Sequence, residues 1–136
     1  MKQILALALA LTVGAIPSGA RMVRGFESAS DDTLGFKVDS IDYRKDLTRV
    51  YGRLTGRPHT SARIDGVSMT VGASPARECT DIDGVDFNRY FQWEDGGEIG
   101  VELDFAPVKP ARSGRVTFAT PRGKSVTSWQ TTGKKK

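Results

Sequence analysis

A chain of 136 residues with 20 Lys and Arg against 16 Asp and Glu has room for one compact domain and carries a net charge of only +4. Its single cysteine, Cys79, excludes an internal disulfide, and a single histidine, His59, leaves too few ligands for a four-coordinate structural zinc site. Lys2, Lys134, Lys135 and Lys136 account for the whole net charge, so the domain lacks the basic stripe of a nucleic-acid binder, and no nucleic-acid partner is expected.

In chain order, residues 1–20 read MKQILALALALTVGAIPSGA. One positive charge at Lys2, an uncharged apolar run from Ile4 to Val13 and small residues at Ser18 and Ala20 make the three-part pattern of a signal peptide cleaved after Ala20. The run is too short for a stop-transfer helix, which needs about 20 apolar residues. The expected product is exported, periplasmic or extracellular, soluble, and without a transmembrane anchor in the mature chain. Residues 21–33 are polar and aperiodic and predict a flexible lead-in, residues 34–132 a single domain, and residues 133–136 a solvated basic tail.

Within the domain, period two dominates. Phe36 and Val38 alternate with Lys37 and Asp39; Val50, Gly52 and Leu54 alternate with Arg49, Tyr51 and Arg53; Val67, Met69 and Val71 alternate with Ser68 and Thr70. Phe87, Phe91 and Trp93 share one phase. Ile99, Val101, Leu103 and Phe105 stand against Glu98, Gly100, Glu102 and Asp104, and strands follow at Val116 to Phe118 and Val126 to Thr131. Such alternation predicts strands half in a core and half in water. Asp42 to Leu47 could form a short helical turn, and no other segment has helical spacing. Asp95-Gly96 lies between two alternating runs and predicts a hairpin. Trp93 and Trp129 are predicted to fill the core.

About seven short strands separated by turns predict an all-β fold, an antiparallel sandwich or, alternatively, a small β-barrel. The strand spacing, with FQWEDGGEIGVELDF followed by GRVTFATPRG, resembles the small immunoglobulin-like β-sandwich domains of exported bacterial proteins, over Phe36 to Thr131. The resemblance implies a binding, adhesive or spacing role.

Candidate chemistry is sparse. Asp81, Asp83 and Asp86 in DIDGVDFN supply hard oxygen ligands for calcium, but Gly84 falls at position four and Gln92 at position twelve, so the EF-hand pattern fails. Asp-rich segments of this kind also favour turns. Glu102 and Asp104, two apart on one strand face and about 7 Å from each other, are the carboxylate pair a small hydrolase would use; the competing reading is a solvated strand face. Cys79 in a polar segment is a bystander thiol or an intermolecular partner, and His59 falls in a turn. Tyr51 and Tyr90, out of phase with their apolar neighbours, could face a ligand. The expectation is a non-catalytic binding or structural module at the cell envelope, with a protein or carbohydrate partner, no cofactor and no bound metal. A carboxylate hydrolase and a calcium-dependent binding module are the alternatives, and open strand edges would suit an assembly role.

Overall fold

The computed structural model describes residues 21–30 and 34–132. The proposed signal peptide, the basic tail and residues 31–33 of the lead-in lie outside the described residues. Eleven strands follow in order: β1 (Arg21–Arg24), β2 (Phe26–Ser30), β3 (Gly35–Tyr43), β4 (Thr48–Thr55), β5 (Ser61–Arg63), β6 (Gly66–Val71), β7 (Arg77–Asp83), β8 (Tyr90–Gln92), β9 (Glu98–Phe105), β10 (Ser113–Thr120) and β11 (Gly123–Thr131). Nine of them form one antiparallel sheet in the order β1-β3-β4-β9-β7-β6-β10-β11-β2, and β5 pairs with β8 in a small second sheet. Among the described residues no helix is long and apolar enough to cross a membrane.

The nine-stranded sheet nearly closes on itself, as the barrel alternative requires. β1 and β2 are consecutive, bent at Gly25, whose φ of 79° lies in the left-handed region that glycine enters freely. β1 pairs with β3 while β2 pairs with β11, so one stretch of chain reaches both edges of the sheet. The remaining seam, between β2 and β3, is sealed by serines. The Val38 amide donates to Ser28 Oγ at 2.9 Å, and the Phe36 amide donates to Ser30 Oγ at 3.0 Å. Residues 21–30 are therefore strand rather than flexible lead-in. Their inward positions, Val23, Phe26 and Ser28, are half-buried, and hydrogen bonding to both edges orders them where periodicity gave no sign.

Elsewhere alternation translates directly into burial. In β9, Val101, Leu103 and Phe105 are buried and Ile99 is half-buried, while Glu98, Glu102 and Asp104 take the outer face. In β4, Val50, Gly52 and Leu54 face inward. Phe36 meets Phe118 edge-on across the interior, with ring centroids 5.1 Å apart. Trp93 and Trp129 are both buried, as predicted. Three buried hydroxyls find partners. Ser125 Oγ donates to the Leu34 carbonyl at 2.6 Å, Thr127 Oγ1 shares a 2.8 Å hydrogen bond with Ser30 Oγ, and Thr48 Oγ1 accepts from the Val108 amide at 3.2 Å.

Three local expectations change. Arg44–Leu47 is a tight turn between β3 and β4, closed by the Arg44 amide on the Leu47 carbonyl at 2.9 Å, not a helical turn. The Asp95-Gly96 turn exists, with the Gly97 amide on the Glu94 carbonyl at 3.0 Å, but its flanking strands do not pair. β8 joins β5, and β9 joins β4 and β7. Finally, β7 runs through the segment read as polar turn. Its register shifts at Thr80, so Cys79 opposite Phe105 and Ile82 opposite Leu103 both face inward three residues apart, and the bulge hides the period of two.

Candidate functional site

Antiparallel connections alternate between the two ends of a sheet, and here one end gathers cations. Arg21 opens β1 in register with Tyr43, the last residue of β3. Arg44 and Lys45 begin the turn that follows, Arg77 opens β7, and Lys109 sits in the loop between β9 and β10. These five cations, with Tyr43, Ser74, Pro107, Val108 and Pro110, line an open cleft of about 660 Å³, and no carboxylate lines it. That volume lies within the ~300–1,000 Å³ usual for ligand sites.

The walls are positioned by the fold. The buried Thr48 hydroxyl holds the Val108 amide and so pins the Pro107–Pro110 loop, whose two prolines restrict its backbone. The Ser74 amide closes a turn on the Val71 carbonyl at 3.0 Å and delivers the chain to Arg77. Asp42, nearly buried, accepts from Arg44 Nε at 2.6 Å and fixes that guanidinium; the hydrogen bond, then its charge, raises the Arg44 pKa.

Two cleft residues carry unsatisfied polar atoms. Tyr43 is only 3% exposed. Its hydroxyl lies near the Ala111 amide and the Arg21 charge, yet it closes no hydrogen bond of ordinary geometry. Burial raises its pKa, and those two neighbours oppose the shift. Arg77 Nε is likewise buried without a partner. Leaving such groups unpaired costs about 1–3 kcal/mol each, and neither atom is exposed to the cleft. Trp129 Nε1 is the third such atom among the described residues, and Trp129 lines a separate, smaller cleft of about 510 Å³.

The residues singled out from sequence lie elsewhere. Asp81 and Asp83 point outward from β7, opposite Asp104 and Glu102 of β9. Asp86 follows in the next loop and lies 3.6 Å from Arg89 Nη1. Among the described residues no group of three or more His, Cys, Asp or Glu is arranged to hold a metal ion. Glu102 and Asp104 share a face, as their spacing predicts, but Arg49 clasps Asp104 through two hydrogen bonds of 2.7 and 3.0 Å. Arg53 binds Asp39 at 3.0 and 3.2 Å and reaches Glu98 at 3.5 Å, and Lys37 reaches Glu98 at 3.8 Å. This face is a lattice of ion pairs.

Tyr51 is half-buried on that face, across from Glu102. Tyr90, 66% exposed, belongs to the small sheet, where the Arg63 guanidinium lies 5.3 Å from its ring centroid. The two tyrosines sit in different sheets. His59 stands in an exposed turn with Nε2 3.0 Å from Asp95 Oδ1. Cys79 is half-buried and donates from Sγ to the Asp81 carbonyl at 3.0 Å; burial pushes its pKa up to about 11, which keeps it a protonated, weak nucleophile.

The cleft cations escaped sequence reasoning because they come from four separate places and the net charge is small. One signal was present. The turns RKDL and PVKPAR and the residue after SPA occupy alternate connections of the sheet, and therefore one end of it. Comparison with family models, with curated proteins and with solved structures gave no match.

Proposed function

We propose that this chain is an exported, non-catalytic binding module whose ligand is a small, multiply charged oxyanion seated in the basic cleft. The single observation that carries the reading is the convergence of Arg21, Arg44, Lys45, Arg77 and Lys109 on a cleft with no lining carboxylate. Guanidinium groups present paired donors that match phosphate-type and carboxylate oxygens. Export rests on the pattern of residues 1–20. For the scaffold, a small β-barrel describes the nearly closed sheet more closely than an immunoglobulin-like sandwich. The partner class narrows from protein or carbohydrate to an anionic small molecule or an anionic group on a larger one.

Calorimetric titration of residues 21–136 with inorganic pyrophosphate tests this. Binding is expected at low ionic strength and weakens with added salt. Arg77→Gln should weaken it at least tenfold, since a charge-assisted hydrogen bond contributes about 1.5–3 kcal/mol. Binding that Arg77→Gln leaves unchanged, or no binding at all, contradicts the proposal.

A further inference from the structure

The residue that the proposed cleavage would leave first is also a wall of the cleft. Arg21 opens β1, stands in register with Tyr43 and lines the cleft beside it. Cleavage after Ala20 adds water across the Ala20–Arg21 peptide bond. Ala20 departs with a carboxylate, and Arg21 keeps the nitrogen as an amine that takes up a proton. An α-amine of ordinary pKa, about 7.7–8, is largely protonated at neutral pH. The reaction therefore converts the neutral amide of a cleft-lining residue into a cation with three donors.

We infer that release of residues 1–20 completes the anion site, the Arg21 α-ammonium joining Arg21, Arg44, Lys45, Arg77 and Lys109 around a phosphate-type ligand with two or more charges. The groups around it favour this assignment. β3 contributes Tyr43 and, through its turn, Arg44 and Lys45; β7 contributes Arg77; the β9–β10 loop contributes Lys109. The nearest carboxylate in the register is Asp42, opposite Met22, and it is already committed to Arg44. No lining acid is therefore available to neutralise a new ammonium there, and an anionic ligand is the counter-charge that fits. The uncut chain lacks that cation at Arg21. The processed protein is thus the tighter binder.

The inference rests on the proposed function, and its test separates the two. Two chains are compared, residues 21–136 and residues 18–136, each with one free α-amine and the same net charge. They differ in where the amine sits, since three residues displace it by up to about 10 Å. Both are titrated with inorganic pyrophosphate at pH 7 after circular dichroism has shown the same fold. The expected result is roughly tenfold tighter binding by the chain that begins at Arg21, the effect of one charge-assisted contact. Equal affinity overturns the inference and leaves the cleft as an anion site. Absence of binding by both chains overturns the proposed function, and the inference with it.

Discussion

Gly52 reports on how tightly the barrel interior is filled. It sits on the inward face of β4, in register with Val38 on one side and Val101 on the other. A methyl group built there would lie 2.4 Å from the Lys37 carbonyl oxygen and 2.6–2.7 Å from the Phe36 ring. Neither neighbour can yield cheaply. The carbonyl belongs to the sheet backbone, and Phe36, buried, is braced edge-on by Phe118. Overpacking of this kind costs about 1–3 kcal/mol, and the rigid surroundings put Gly52→Ala at the upper end. Replacing glycine also removes about 0.4–1 kcal/mol of unfolded-state freedom, which leaves a net loss of about 2–2.5 kcal/mol. Gly100 is the internal control. It lies one strand away on the outer face, where an added methyl group meets nothing within 4 Å. Gly100→Ala should be neutral or stabilising by up to about 1 kcal/mol. Urea melts of both variants should therefore place the Gly52→Ala midpoint below that of the unsubstituted protein and the Gly100→Ala midpoint at or above it. A Gly52→Ala protein as stable as the parent would refute the inward register of β4 and the Phe36 packing with it.

Other outcomes follow from the same structure. Leu103→Ala, at a fully buried position, should cost about 2–5 kcal/mol in urea melts, and Glu102→Ala about 0.5 kcal/mol or less; reversed costs would put β9 one residue out of register. Arg49→Gln should cost about 1 kcal/mol, because it strands Asp104 across from Asp81, whereas Asp104→Asn in the same background should recover part of the loss; equal stability of all three proteins would rule out a contribution from the pair. For Cys79, the unfolded thiol gives up its proton near pH 8.5–9 while the folded one holds it to about 11. Stability should therefore fall as pH rises through that window, less steeply in Cys79→Ala, and identical slopes would contradict a raised thiol pKa.

Parts of this structure were legible in the chain and parts were not, for physical reasons. The β9 alternation was readable because that strand has one wet and one dry face, so each side chain declares its side. β7 was not, because the bulge at Thr80 separates Cys79 and Ile82 by three positions. β1 and β2 carry little hydrophobic signal, since part of the closure is made by the hydroxyls of Ser28 and Ser30. The Glu94–Gly97 turn was correctly placed from Asp-Gly, yet which strands it joins is a tertiary matter that turn chemistry does not encode. Asp81, Asp83, Tyr51 and Tyr90 drew attention through local pattern, whereas the cations of the cleft come from positions up to 88 apart, Arg21 to Lys109. Only the sheet order shows that those turns share an end.

Where an oxyanion binds distinguishes a built site from diffuse surface charge. Backbone amide spectra of residues 21–136, recorded during titration with inorganic pyrophosphate, locate that contact residue by residue. The predicted shifts centre on Arg21, Tyr43 to Lys45, Arg77 and Val108 to Lys109, and Tyr90 and Arg63 at the far end stay unmoved. Shifts confined to the small sheet, or spread evenly over every surface lysine and arginine, would contradict a site built into the basic cleft.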